Sequence, residues 1–387
     1  SSLLLGGYLL LTPINEAFMS STIFENPILK GFNPDPSIIK VNNDYYIATS
    51  TFEWFPGVQI FHSTDLINWT LVARPLNRTS QLDMLGNPDS CGVWAPCLSY
   101  NNGTFYLIYS NARRYWSQCK DVHNYLVTTN DILGECSQPL YLNSSGFDPS
   151  LFHDKNGKKW LVNLRWDHRQ GQSGRAFNAK NYFGGIVLQQ YSPEQEKLVG
   201  DVKKIFAGSS LGLAEGPHLY QRNGYYYLLV AEGGTGYEHA ALMLRSKNID
   251  GPYEADPKGH FLTAANTTGT LQRTGHADFV DIDENHAWLV HLCSRPLKNH
   301  RSVMGRETAI QKAQWSADGW LRLSHQGSVP LLQPMTTLEN NSNKTPTKQF
   351  EDFTSQQLPI DFQTLRVPLQ SDSLSLSERP RYLRLKG

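Results

Sequence analysis

A unit of about 60 residues recurs five times between Phe24 and Leu332 and constrains the fold more than any other feature of the chain. In each copy a polar or acidic residue, usually close to a proline, precedes an apolar strand, a turn of Asn, Asp or Gly, and a strand rich in Tyr or Trp. The copies start at Asp35, Trp94, Asp148, Glu215 and His276. Self-similarity of this kind, without helical periodicity, is typical of a β-propeller, whereas a β-sandwich supplies short strands without the repetition. The sequence therefore predicts an all-β fold, a five-bladed β-propeller.

The two ends of the chain do not follow this pattern. Residues 1–20 contain short leucine runs that lack a basic start and are too short to span a membrane. We interpret residues 1–18 as a leader or an added segment, with a signal-peptide remnant as the competing interpretation. The propeller is assigned to residues 21–335. Residues 336–387 comprise a polar linker and a strand-like block that is too short to bury a core of its own.

Composition excludes several classes of partner. The chain has 35 basic and 35 acidic residues, so no excess of charge favours a nucleic acid or an anionic membrane, and a neutral substrate fits better. Its 18 Tyr and 9 Trp suit both strands and the stacking of sugars on aromatic rings. The five cysteines have no CxxC spacing, which favours reduced thiols and a cytoplasmic location. A secreted or periplasmic location would follow if residues 1–18 are a signal remnant.

Asp35 lies between Pro34 and Pro36 in the first repeat. Because a proline biases the residue before it toward extended geometry, we expect Asp35 to be extended and rigidly aimed. The alternative is that Asp35 only caps a turn. Equivalent positions in a propeller surround its axis, so Asp35, Asp148 and Glu215 are expected to converge at one end of the central channel. Such a cluster of repelling carboxylates favours a catalytic site over three separate caps.

Paired carboxyl groups at this location suit the hydrolysis of a glycosidic bond. One acid protonates the leaving oxygen, and a carboxylate on the opposite side activates water or attacks the sugar. A third acid can raise the pKa of the proton donor. The residues alone do not assign these roles among the three acids.

Four motifs carry a resemblance to glycoside hydrolase family 43, and within it to the exo-acting β-xylosidases. They are Phe32-Asn33-Pro34-Asp35-Pro36-Ser37-Ile38, Phe147-Asp148-Pro149-Ser150-Leu151, Ala214-Glu215-Gly216-Pro217-His218 and Gly305-Arg306-Glu307-Thr308. The resemblance runs from about Asn26 to Gly387 and implies a five-bladed propeller that hydrolyses its substrate by inversion. It also implies that the strand-like block after the linker is the beginning of a C-terminal β-sandwich that this chain does not complete.

The resemblance implies roles for individual residues. Asp35 resembles the general base, Glu215 the general acid, and Asp148 the residue that tunes the pKa of the acid. Phe52 and Trp94 resemble aromatic walls of the sugar subsite, and Arg306 resembles an arginine that contacts the terminal sugar. Thr235 and His276 complete the expected substrate-binding set. No cofactor is required by this pattern, no ligand spacing demands a metal, and calcium near His276 remains open.

These implications predict an enzyme that releases xylose from the non-reducing ends of xylo-oligosaccharides and also allow α-L-arabinofuranosidase activity and a homo-oligomer. One alternative is a retaining propeller glycosidase of the fructan-cleaving kind, which would need an Asn-Asp-Pro-Asn type of opening, whereas Asp35 here follows Pro34. A second alternative is a non-catalytic carbohydrate-binding propeller, in which the acids only hydrogen-bond sugar hydroxyls.

Overall fold

A computed structural model of the chain describes residues 22–116, 119–169, 178–337, 351–370 and 372–386. The segment interpreted as a leader and almost all of the predicted linker lie outside these residues. Among the residues described, no helix is long and apolar enough to cross a membrane.

Five antiparallel sheets of four or five strands confirm the predicted five-bladed propeller, and the described residues form three two-stranded sheets besides. Each of the five blades runs outward from the central channel in chain order. The first blade is built from β2, β3, β5 and β6, and the other four blades follow the same meander. The fourth blade has an additional short strand, β19, which pairs with β17 beside β18.

The strands have the following bounds. Ahead of and within the first two blades lie β1 (Thr22–Phe24), β2 (Ser37–Val41), β3 (Asp44–Thr49), β4 (Trp54–Phe55), β5 (Gln59–Ser63), β6 (Thr70–Ala73), β7 (Gly92–Asn101), β8 (Thr104–Arg114), β9 (Asp121–Thr129) and β10 (Leu140–Asn143). The third and fourth blades contain β11 (Gly146–His153), β12 (Lys159–Trp166), the short helix α1 (Ala179–Tyr182), β13 (Phe183–Ser192), β14 (Lys197–Phe206), β15 (Glu215–Arg222), β16 (Tyr225–Glu232), β17 (Ala240–Ser246), β18 (Glu254–Ala255) and β19 (Leu262–Thr263). The fifth blade and the C-terminal segment contain β20 (Gln272–Asp281), β21 (His286–Ser294), a 3₁₀ turn (Lys298–His300), β22 (Glu307–Trp315), β23 (Leu321–Leu323), β24 (Met335–Thr337), β25 (Thr364–Leu365), β26 (Leu374–Ser375) and β27 (Arg384–Leu385).

Turn chemistry fixes the hairpin between the two inner strands of the second and fourth blades. In the second blade, Asn102 and Gly103 both have positive φ between β7 and β8, and Asn223 and Gly224 repeat this between β15 and β16. Two successive residues of positive φ make the turn that matches the twist of a hairpin, and Asn-Gly adopts it with little strain. The Asn and Gly positions in the repeat therefore do mark hairpins.

Alternation along the strands builds the core between neighbouring blades. On β16, Leu228 packs toward the third blade with Val162, whereas Leu229 packs toward the fifth blade with Leu289. Because successive side chains of a strand point to opposite faces, one apolar strand supplies two interfaces. Five such apolar clusters join the five blades and hold the inner strands around the channel.

Two polar contacts tie the ends of the propeller together. The side chain of Asn26 donates to the carbonyl of Ile310 at 2.8 Å and accepts from its amide at 2.9 Å.

The C-terminal segment reaches the first blade, where β25 pairs with β4 and the amide of Arg366 donates to the carbonyl of Glu53 at 2.7 Å. The strand-like block seen in the sequence thus packs beside the loop that carries Phe52.

Candidate active site

Five residues at the starts of the inner strands share a left-handed backbone conformation. They are Asp35, Ala95, Asp148, Gly216 and His276, with φ of 56°, 34°, 56°, 57° and 46°. In the second to fifth blades the strand pairing skips at this point, so the inner strand carries a bulge. A bulge re-aims the side chain next to it and needs a residue that tolerates this conformation.

This geometry corrects two expectations. Asp35 is not extended, because the start of each inner strand takes a left-handed turn that overrides the preference imposed by Pro36. Glu215 does not share the position of Asp35 and Asp148: the left-handed residue in the fourth blade is Gly216, so Glu215 stands one residue earlier, as Trp94 does in the second blade. Two of the three acids are in register, and the third reaches the same cavity from the neighbouring position.

All eight site residues predicted from the sequence line one cavity of about 450 Å³ at this end of the channel. They are Asp35, Phe52, Trp94, Asp148, Glu215, Thr235, His276 and Arg306. They come from all five blades, which explains why residues 271 positions apart, such as Asp35 and Arg306, meet there.

Asp35 is held as an ionised carboxylate. It is 5% exposed, accepts a hydrogen bond from the Ser50 hydroxyl at 2.7 Å, and forms an ion pair with Arg306 at 3.1 Å. Burial on its own raises the pKa of Asp35, but the charge of Arg306, the nearby His276 and the Ser50 hydrogen bond together lower it below its usual value. The group is therefore suited to accept a proton.

Glu215 has the opposite character. Burial, reinforced by the negative charge of Asp35, raises the pKa of Glu215 to about 7, while Arg306 and Lys120 oppose that rise. A carboxyl group with this pKa keeps its proton near neutral pH and can donate it.

Asp148 interacts electrostatically with both Asp35 and Glu215. Burial, together with the charges of Glu215 and Asp35, raises the pKa of Asp148 well above its usual value. Its carboxyl oxygen accepts a hydrogen bond from the amide of Gly216 at 3.0 Å. Asp148 is therefore bonded to the backbone immediately after Glu215. The side chain thus holds the backbone that carries Glu215, and its own pKa responds to the charge of Glu215.

Aromatic rings form one wall of the cavity. Phe52 packs edge-on against Phe32 with ring centres 5.5 Å apart, and Trp94 packs edge-on against Phe147 at 5.6 Å. The guanidinium of Arg306 lies 4.9 Å from the centre of the Phe52 ring, so this ring also orients the arginine toward Asp35. Flat apolar rings beside hydrogen-bonding groups are the lining that a sugar requires.

His276 lies behind the acids as a neutral imidazole. Burial lowers its pKa to about 4, although the charge of Asp35 opposes this shift. A Cβ atom on Gly216 would lie 2.9 Å from the His276 ring, so the close packing of the two blades requires glycine there. Within the described ranges no group of three or more His, Cys, Asp or Glu side chains is arranged to hold a metal ion, including around His276.

Sequence reasoning missed several cavity residues, including Tyr115, Lys120, Trp166 and Phe183. Tyr115 and Lys120 lie in the connection between β8 and β9, outside every repeated motif. A basic residue near an aromatic pair in an inter-strand connection is the only sequence signal that could have identified Lys120.

Family models match most of the chain. The model described as glycosyl hydrolases family 43 matches residues 24–321. A second, described as a beta xylosidase C-terminal concanavalin A-like domain, matches residues 350–387.

Curated relatives are similar over most of this chain. A xylosidase/arabinosidase 43B of Humicola insolens is 55% identical over 89% of this chain and 62% of its own length. A beta-xylosidase of Bacillus subtilis is 50% identical over 94% of this chain and 68% of its own length. The chain thus spans between three fifths and seven tenths of the length of these two relatives.

Solved structures agree with these matches. A xylan beta-1,4-xylosidase from Bacillus halodurans superposes with a TM-score of 0.88 and 53% identity, covering 94% of this chain and 68% of that one. A family 43 protein from Bacteroides ovatus superposes with a TM-score of 0.81 and 35% identity over 95% of this chain. Sequence and fold lead to one conclusion: the chain belongs to glycosyl hydrolase family 43.

Proposed function

We propose that this chain is an exo-acting, inverting glycoside hydrolase that releases xylose from the non-reducing ends of xylo-oligosaccharides. We propose α-L-arabinofuranosidase activity as a secondary activity. The observation that carries this proposal is the contrast within one cavity between Asp35, whose pKa is lowered, and Glu215, whose pKa is raised to about 7. An enzyme that needs a base and an acid at the same pH requires this contrast.

In the proposed mechanism, Asp35 takes a proton from a water molecule as that water attacks the anomeric carbon. Glu215 gives its proton to the glycosidic oxygen as the bond from this oxygen to the anomeric carbon breaks. Both events belong to one displacement, so the configuration at the anomeric carbon inverts. Arg306 keeps Asp35 ionised beforehand, and Asp148 holds the backbone beside Glu215.

The substrate class is supported by the cavity and by relatives. The lining combines Phe52 and Trp94 with Arg306 and Thr235, which offers both stacking and hydrogen bonds to a small neutral sugar. The relatives include proteins named as xylosidases and as arabinosidases. The retaining and non-catalytic alternatives are not favoured, since the family inverts and since the pKa values of Asp35 and Glu215 are set apart.

The test is release of xylose from xylobiose by the wild-type chain and by Glu215→Gln, with Glu135→Gln as the matched control. Glu135 is an exposed glutamate whose side chain is 86% accessible. We expect the wild-type and Glu135→Gln proteins to release xylose at equal rates and Glu215→Gln to lose at least about a hundredfold. Equal release by Glu215→Gln would refute the proposed proton donor, and binding of xylobiose without turnover in the wild type would favour the non-catalytic alternative.

Three further features stay predictions. A chelator is expected to leave activity unchanged, whereas loss of activity restored by calcium would place an ion near His276. Light scattering would determine whether the chain forms a homo-oligomer. The cytoplasmic location is supported by five unpaired cysteines, and fractionation of the producing cell checks it.

A further inference from the structure

Lys120 enters the cavity through an aromatic cage. Its ammonium lies 4.5 Å from the centre of the Trp166 ring, 5.6 Å from Tyr115, 5.8 Å from Trp94 and 5.9 Å from Phe147. Four rings on one cation confine it to a small volume and remove much of its contact with water. A lysine side chain normally has many rotamers, so this one is unusually restricted for a cation without a carboxylate partner.

The ammonium has few polar contacts. It donates one hydrogen bond to the carbonyl of Tyr115 at 2.8 Å. Across the residues that the structure describes, it forms no ion pair within 4.0 Å, although it lies within electrostatic range of Glu215. Because the surroundings are apolar, the charge of Lys120 acts on Glu215 over a longer distance than it would in water.

The proposed reaction moves one negative charge across the cavity. Before the step Asp35 is a carboxylate and Glu215 is protonated. After it, Asp35 holds the proton taken from water, and Glu215 is a carboxylate, because its proton has gone to the leaving oxygen. Arg306 contacts Asp35, where the charge starts, and Lys120 lines the same cavity and interacts electrostatically with Glu215, where the charge ends.

We propose that Lys120 is a positioning residue for proton donation: its caged ammonium stabilises the carboxylate that Glu215 becomes as the glycosidic bond breaks. This inference rests on the proposed function. It assigns Lys120 to the acid end of the charge transfer alone, whereas Arg306 pairs with the base Asp35 and also acts on Glu215.

The other charged and titratable groups around this pair are few. Glu215 faces Asp35, Asp148, Arg306 and Lys120. Lys120 also lies near Cys91, whose thiol stays neutral because burial raises its pKa. Lys120 is therefore the cation whose removal changes the surroundings of Glu215 while leaving the Asp35–Arg306 ion pair in place.

The test compares substrates that differ in their need for a proton donor. A para-nitrophenyl leaving group departs with little protonation, whereas the second xylose of xylobiose requires it. We expect Lys120→Met to lower kcat on xylobiose about tenfold or more and kcat on para-nitrophenyl xyloside less than about threefold. Lys120→Arg keeps the charge and is expected to restore most of the rate on xylobiose.

A second readout is the pH profile of kcat/KM. Removing the cation destabilises ionised Glu215 and raises its pKa, so the alkaline limb is expected to move about one pH unit upward in Lys120→Met. Lys312→Met is the matched control, since Lys312 also lies over a ring, that of Trp288 at 5.6 Å, but outside the cavity. Melting temperatures confirm that each variant is folded.

Three results would count against the inference. Equal loss on both substrates with an unmoved alkaline limb would show that Lys120 only shapes the cavity, and full activity of Lys120→Met would remove any role. If wild-type protein and Lys312→Met both fail to release xylose from xylobiose, the proposed function itself fails and this inference falls with it.

Discussion

The central channel holds buried acids at two levels along its length, and their surroundings differ. The reactive level contains Asp35, Asp148 and Glu215, and the structural level contains Asp278. Asp278, two residues beyond His276 on β20, accepts hydrogen bonds from the Tyr220 hydroxyl at 2.5 Å and from the amides of Ile38 and Phe279 at 2.8 Å each. The level that contains Asp35, Asp148 and Glu215 has fewer donors and three mutually repelling groups. The same repeated strand therefore supplies a structural acid and reactive acids, and the number of hydrogen-bond donors around each acid distinguishes them.

The largest effect is expected for activity at the reactive level. Asp35→Asn removes the proposed general base while keeping the size of the side chain, so kcat/KM on xylobiose should fall by about a thousandfold or more. Steady-state kinetics measures this change. Asp83→Asn, at an exposed position, serves as the control and should behave as wild type. Retention of more than a tenth of the activity in Asp35→Asn would mean that another group is the base.

A second prediction concerns how the ionisation of Glu215 lowers the free energy of unfolding. Its pKa is about 7 in the folded protein and about 4.5 when unfolded, so the folded state holds the proton more tightly. Stability from this group is fully present below about pH 4.5 and is lost as the pH rises through about 7. Relative to Glu215→Gln, the wild type should lose up to about 3 kcal/mol of unfolding free energy over this range. Denaturant unfolding across this pH range measures the difference, and a constant difference would contradict the raised pKa.

The structural level should respond through stability instead. Asp278→Asn replaces one acceptor oxygen by a donor that faces other donors, which should lower the free energy of unfolding by about 2 kcal/mol. The pH profile of kcat/KM should keep its shape. Thermal and denaturant unfolding measure the first effect. A shifted pH profile with unchanged stability would place Asp278 among the reactive acids and remove the distinction between the levels.

A smaller effect is expected where the inner strands β15 and β20 are in close contact. Gly216→Ala places a Cβ atom 2.9 Å from the His276 ring at a residue of positive φ, so the ring or the strand must shift. Because the Gly216 amide also bonds Asp148, kcat on xylobiose should fall about tenfold. Gly103→Ala is a control for the conformation alone, since it has a positive φ of 84° with open space around it. Equal activity of the two variants would show that the contact with His276 is unimportant.

Much of this architecture could be predicted from the chain. The Asn-Gly turns and alternating strands indicate five blades, because local backbone preferences repeat in each unit. The candidate acids could be identified because a propeller converts sequence repetition into a ring. The offset of Glu215 against Asp35 could not be predicted, since it depends on where the inner strand bulges. Lys120 was missed because its cage is assembled by rings from the second and third blades and from the loop after β8.

The most direct test of the central claim follows, by proton NMR, the anomeric configuration of the single xylose released from para-nitrophenyl β-xyloside. A base and an acid that act in one displacement invert the β-linkage, so the α-anomer should appear first and the β-anomer should grow only as the free sugar equilibrates. Initial formation of the β-anomer would contradict the account, because it requires a covalent intermediate in which a carboxylate attacks the sugar directly.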